Sequence, residues 1–210
     1  MTAPAVDDDL DLNPDEVVIG TADGPGLYLA PAGTRLPPPG VDFAPPWASL
    51  GFASDDGVTV GGETTSEAIT PWQATSPIRQ VITEKTRTVG VSLWQLNYLT
   101  WGLYLDVDIE EPGEDGVLDV DVPSSGGGRV YAAALAVRDG DQIVRIGWSR
   151  TNLDSIGDMS IAKGAPIPLE VTLSALDNGG TMMQLQQYPA SYVPAEAAAP
   201  AAETDGQVAA

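Results

Sequence analysis

Punctuation constrains this chain more than any other feature: turn-forming clusters interrupt it so often that few long regular elements fit between them. Asp23-Gly24-Pro25-Gly26, Asp55-Asp56-Gly57, Asp139-Gly140-Asp141 and Asp177-Asn178-Gly179-Gly180 combine residues that tolerate positive φ with residues that hydrogen-bond their own backbone. The stretches between are short and rich in Val, Ile, Leu, Thr and aromatic residues, which suits strands on a half-buried surface. Many short strands of this kind build a β-sandwich or a barrel. At 210 residues the chain can hold one domain with a sizeable core, whereas two would each be small.

The same reading assigns the elements. Residues 17–19 and 27–29 flank the first turn as a hairpin, and residues 47–52 and 58–60 flank the second. From Ile78 to Val91, Thr and Val enrichment without a helical period predicts one long strand. Residues 130–137 and 143–148 enclose the third turn; strands follow at 160–162, 167–176 and 182–185, the last two around the fourth turn. Residues 31–46, with Pro37-Pro38-Pro39-Gly40 and Pro45-Pro46, lack ladder donors and predict a long projecting loop. One segment has a helical period: residues 92–103 put Leu93, Leu96, Thr100 and Leu103 on one face, and Ser92 with Gln95 matches a capping box. Leu93, Leu96 and Leu103 are thus the expected helix–sheet packing residues. The expected fold is mainly β, a sandwich or barrel with one flanking α-helix at about residues 92–103 and extended arms and loops. An acidic arm (1–16), a single β-sandwich domain (17–190) and a flexible Ala/Pro-rich tail (191–210) complete the organisation.

Composition narrows the chemistry. With neither Cys nor His, disulfides, thiolate metal sites, cysteine nucleophiles and the Ser-His-Asp triad are excluded. The formal net charge is −21, yet 17 of the 30 acids fall in residues 1–16, 106–121 and the end after Pro194, which contain no Lys or Arg. The remainder is nearly balanced. Such a chain repels phosphate backbones, which are held by Lys and Arg. No apolar run is long enough to span a bilayer, and the acidic N-terminus is unlike a secretory signal, so a soluble, unexported protein is expected. Asp106-Val-Asp108-Ile-Glu110-Glu111 spaces carboxylates like a calcium loop but has Glu where the EF-hand turn needs Gly. A solvated loop is the expectation for residues 106–121. Asp55 and Asp56 read as turn chemistry rather than a glycosidase pair, and Gly126-Gly127-Gly128, lacking a following Gly-Lys-Ser/Thr, reads as a hinge. No catalytic, metal or cofactor residue is expected. Trp47, Trp72, Trp101 and Trp148 lie in or beside periodic segments, where core or interface packing is the default.

Several segments, taken in order, add a resemblance: Gly26-Leu-Tyr-Leu-Ala-Pro-Ala-Gly33-Thr34, Trp47-Ala-Ser-Leu-Gly51, Ser54-Asp-Asp-Gly-Val58, Ile69-Thr-Pro-Trp72, Ile78-Arg-Gln-Val81, Thr83-Glu84, Thr88-Val89, Leu93 leading to Asn97, Asp139-Gly-Asp141 to Arg145, and Pro168-Leu-Glu-Val-Thr-Leu173. The ordered set resembles the major tail tube proteins of long, non-contractile-tailed phages, especially those infecting actinobacteria, over roughly residues 26–187. Residues 35–46 and 106–121 depart from the pattern. The resemblance implies a β-sandwich with one flanking helix, six copies closing a ring whose inner strands form a continuous β-barrel, and rings stacked into a tube that conducts DNA. It implies a virion tail protein assembled in the host cytoplasm, whose partners are copies of itself and other tail proteins such as the tape measure, terminator and distal tail proteins. Double-stranded DNA would pass without specific binding, with no membrane and no cofactor involved. In such a ring, Asp55, Asp56, Glu63, Glu67 and Glu84 are the candidate lumen-lining acids; strand alternation would send Arg79, Lys85 and Arg87 to the face opposite Glu84. The alternative is a carbohydrate-binding β-sandwich that uses its tryptophans as sugar platforms.

Overall fold

The computed structural model describes residues 17–20 and 26–194. Its elements are β1 (Gly26–Pro31), β2 (Ala48–Ser49), β3 (Ala53–Gly61), β4 (Thr64–Ile69), β5 (Arg79–Lys85), β6 (Thr88–Leu93), α1 (Tyr98–Leu105), β7 (Val130–Asp139), β8 (Gln142–Ile156), β9 (Leu169–Ala175) and β10 (Gln184–Pro189). Strand pairing is antiparallel throughout. The fold is mainly β, a sandwich with one helix.

β8 turns one sheet into two layers. Along its first half it lies between β7 and β10, and further along its partner on the β10 side becomes β9. Register shifts between Tyr131 and Ala133 on one side, and between Leu153 and Ser155 on the other, mark where its ladders break. Bulges of this kind bend a strand and increase its twist. One layer therefore runs β2-β1-β7-β8-β10 and the other β8-β9-β6-β3. Alternation sends Leu27, Leu29 and Leu135 of the first layer against Val89, Leu93, Leu169, Val171 and Leu173 of the second, with Trp148 and Leu103 of α1 in the same cluster. Burying each of the large side chains stabilises the fold by about 1.5–3 kcal/mol relative to leaving it in water.

The Pro-rich stretch covers the molecule instead of projecting from it. Leu36 and Trp47 pack on Ala30, Ala132 and Ala134, on the first layer's far side. Phe43 stacks on Tyr28 at 4.0 Å. The Arg145 guanidinium donates to the Val41 carbonyl at 2.6 Å, and the Gln186 amide donates to that of Pro37 at 2.9 Å. Gly147 is required beneath this cover, since a Cβ there would collide with Leu36. The prolines forbid a ladder, as expected, but the apolar anchors between them determine where the loop lies.

The expected helix starts late. α1 begins at Tyr98, capped by Asn97: its side chain accepts from the Thr100 N–H, and the Thr100 hydroxyl accepts from the Asn97 N–H, both at 2.9 Å. Ser92 belongs to β6, and the Gln95 side chain accepts from the Phe52 N–H. The apparent helical face mixed two elements. Leu93 is 0% exposed as the last residue of β6, Leu103 is buried on α1, and Leu96, at 40% exposure between them, is not a packing residue.

Other boundaries also moved. Residues 78–91 form two strands, β5 and β6, broken at Thr86 and Arg87 where the chain enters the sandwich. Asp55-Asp56-Gly57 lies inside β3 as an irregularity between Ala53 and Val58, with Gly57 at φ 80°: a positive-φ residue serves a bulge as well as a turn. Residues 160–162 are not a strand, and β10 pairs with β8 instead of closing a hairpin on β9. Residues 17–20 form no strand; Ile19 N–H instead donates to Asp139. The expected turn at 23–25, the arm at 1–16 and the tail from 195 lie outside the described residues. The stretch 107–129 has no helix or strand. Its two ends are tied by the Asp106 carboxylate, which accepts from Gly128 N–H at 2.5 Å and Arg129 N–H at 3.3 Å. The three glycines expected as a hinge all have positive φ, and Gly127 and Gly128 lie against that carboxylate.

Candidate assembly surfaces

The β8-β9-β6-β3 layer has a second face, turned away from the core. Registers place Thr59, Gly90, Thr172 and Ser155 in one row, Gly61, Thr88, Ser174 and Asn152 in the next, and Ser92 beside Glu170 in a third. None of these ten positions is Lys or Arg, and Glu170 is the only charged one. Asp56, displaced by the bulge in β3, joins them around a shallow hollow of about 480 Å³. Gly157 admits the Glu170 side chain, because a Cβ there would meet it. Hydroxyls, glycines and carboxylates on a sheet face bind water and repel phosphate, and offer a polyanion no grip. At the border of this face β3 pairs, among the described residues, with β6 alone, so its outer edge presents backbone donors and acceptors that another strand can pair.

Of the five acids expected at the lumen, only Asp56 borders this hollow. Asp55 and Asp56 lie side by side in the bulge, where the Ser54 hydroxyl is 3.3 Å from one carboxylate and 3.1 Å from the other. Glu63 stands where the chain leaves β3, its N–H donating to the Thr86 carbonyl at 3.2 Å. Glu67 on β4 faces Val81 in register, and Glu84 on β5 faces Thr65. A register shift between Thr65 and Ser66 leaves Thr83 unpaired on β5, so simple alternation cannot relate Arg79 to Glu84, Lys85 and Arg87. Glu170, Thr88 and Thr172 were missed. Their signal was the alternation in Leu-Glu-Val-Thr-Leu-Ser-Ala and Thr-Val-Gly-Val-Ser-Leu, apolar on one side and polar on the other.

The second surface is the β4–β5 hairpin. Among the described residues its strands pair only with each other, and from Gly62 to Lys85 every residue but Pro71 is exposed. Ile69, Trp72, Ile78, Val81 and Ile82 all stand in water, with Trp72 at 98% exposure. An isolated two-stranded hairpin is only marginally stable, and exposed apolar clusters mark association sites.

The third is a groove of about 380 Å³ between β1, α1 and the start of β7, lined by Leu29, Pro31, Leu99, Val107, Ile109 and Tyr131. At its margin Arg129 pairs with Asp108 at 3.0 Å and lies 5.6 Å from the Tyr131 ring centroid. Burial raises the Tyr131 phenol above its ordinary pKa of 10.0; Arg129 opposes the shift, while Asp106 and Asp108 add to it. The Tyr131 hydroxyl is buried with no hydrogen-bond partner among the described residues.

A free sheet edge, a polar face with no base at ten registered positions and an apolar hairpin standing in water are together the surfaces of a β-sandwich subunit that assembles with others. The family comparison makes this particular: the chain belongs to the phage tail tube protein family, whose sequence pattern matches residues 11–199. It is a structural subunit of a viral tail tube. No curated protein matches the sequence. Among the described residues no cluster of His, Cys, Asp or Glu could hold a metal ion, and no helix is long and apolar enough to cross a membrane.

Proposed function

We propose that six copies close a ring with the polar β8-β9-β6-β3 face turned inward, and that stacked rings form a channel through which double-stranded DNA passes without being bound. The observation that carries this reading is the absence of any base from the ten positions of that face, although the chain has nine elsewhere. The exposed edge of β3 supports closure by strand pairing around the ring. Glu170 and Asp56, with Asp55 beside it, would each be repeated by the ring into an acidic annulus, felt by DNA within about 8 Å at physiological salt. Glu63, Glu67 and Glu84, on the hairpin, take part in contacts between copies. The subunit is not an enzyme in this reading; it assembles in the host cytoplasm and meets other tail proteins at the tube's ends. Burial of Trp47 and Trp148 removes two of the platforms a sugar-binding module would use.

The test is charge reversal on purified tubes. Glu170→Lys with Thr172→Lys should still give tubes by electron microscopy but make them retain DNA, with retention falling steeply as salt rises. Glu63→Lys, Glu67→Lys and Glu84→Lys together should instead impair assembly. If the first variant passes DNA freely while the second retains it, the lumen is lined by the hairpin and the assignment of the sheet face is wrong.

A further inference from the structure

Among the described residues, the hairpin and the α1 groove are two apolar surfaces left uncovered, and they are unlike. Trp72 lies in the connection between β4 and β5 and is 98% exposed, so none of the described residues covers it. The groove is concave, its apolar lining formed by Leu29, Pro31, Leu99, Val107 and Ile109. Its volume of about 380 Å³ is enough for an indole, and drug-sized ligands occupy pockets upward of about 300 Å³. Charge favours the same match. From Thr70 to Thr83 the hairpin carries one charged residue, Arg79. The groove's margin carries Asp108, 87% exposed at its side chain although paired with Arg129, and continues into a stretch with eight acids between Asp106 and Asp121 and no base. The connectivity adds direction. The hairpin leaves the β3–β6 ladder at its Gly61/Thr88 end, whereas the chain enters α1 from the Leu93 end.

We infer that the hairpin tip of one subunit docks in the α1 groove of a second copy, with Trp72 as the apolar anchor and Arg79 drawn to the acidic margin. This deepens the tube reading and rests on it. A contact between two unlike surfaces of the same chain is heterologous: each copy offers a free tip and a free groove, so addition repeats instead of stopping at a dimer. Tyr131, whose hydroxyl lacks a partner among the described residues, gives the indole N–H an acceptor if the side chain turns toward it. The neighbour also supplies the apolar cover that the hairpin lacks alone.

The absence of cysteine from the chain makes the test clean. Gln73→Cys and Ala32→Cys, at the tip and at the groove's edge, are introduced singly and together, and the full-length proteins are assembled and oxidised. The double variant should give a ladder of disulfide-linked multimers in denaturing gels, while each single variant gives none beyond a dimer. Trp72→Ala should raise the concentration at which tubes form by about tenfold or more, the loss expected of an aromatic anchor, while leaving the subunit's thermal unfolding unchanged. Arg79→Glu should weaken assembly more at low salt than at high salt. Tubes that form from the double variant without a ladder overturn the groove as receptor, and dimers alone would show hairpins pairing with hairpins. Unimpaired assembly of Trp72→Ala overturns the anchor. A wild-type chain that forms neither rings nor tubes overturns the tube reading itself, and this inference with it.

Discussion

β5 and β6 are separated by only Thr86 and Arg87, and both are short, Val- and Thr-bearing strands, yet they have opposite environments. β6 buries Val89 and Leu93 in the core and leaves Thr88, Gly90 and Ser92 on the polar face. All seven residues of β5 are exposed, Val81 and Ile82 included. The difference is in what lies against them. β6 has β3 and β9 at its sides and the other layer across the core, whereas β5 has, among the described residues, only β4. Apolar patterning in a strand thus shows that some surface will cover it, and leaves open whether that surface comes from the same chain.

This contrast is sharpest at tryptophan. Trp148→Ala should destabilise the isolated subunit by about 3–5 kcal/mol, the cost of emptying a core aromatic site. Trp72→Ala should change it by no more than about 0.5 kcal/mol, as an exposed substitution does, while impairing assembly. Urea unfolding of unassembled subunits checks both values, and a large effect at Trp72 would show that the hairpin is part of the subunit's own core. Next in size is a leucine pair. Leu93→Ala should cost about 2–5 kcal/mol, and Leu96→Ala, partly in water, less than about 1 kcal/mol. Equal costs would mean that α1 extends back toward residue 92 after all. Asn97→Ala should cost about 1 kcal/mol by removing the cap that starts α1, measured by the same unfolding series, whereas Ser92→Ala removes no cap.

The smallest effect is a titration at the groove. Because burial holds the Tyr131 phenol above 10.0, the folded state keeps its proton at a pH where the unfolded chain has lost it. The stability that Tyr131 contributes is therefore present below about pH 10 and lost as pH rises through the folded value. Tyr131→Phe should flatten that part of the stability–pH curve; an unchanged slope would remove Tyr131 as its source.

How much of this the sequence revealed follows the same division. The sandwich could be read from turns and alternation, because Leu169 to Ala175 encode an apolar side directly. Helix and bulge positions were misread for local reasons: Leu93, Leu96 and Leu103 fall at helical spacing though Leu93 sits on a strand, and Asp55-Asp56-Gly57 suits a turn and a bulge equally. The Pro-rich stretch hid its anchors, since nothing local tells Leu36 that Gly147 leaves room for it. The polar face was readable in part. Its members come from β3, β6, β8 and β9, and only the pairing registers bring Thr59, Gly90, Thr172 and Ser155 into one row. The acids expected at the lumen lie between Asp55 and Glu84, whereas the rows of this face are distinguished by where bases are missing.

The central claim is that one layer of the sandwich is wall and the hairpin is joint. A reconstruction of assembled tubes by electron cryomicroscopy tests it most directly. The account predicts a ring of six subunits with Thr59, Thr88, Thr172 and Glu170 facing the channel and β3 paired with a neighbouring subunit's strand. Tubes in which those residues face outward, or in which the β4–β5 hairpin lines the channel, would contradict it.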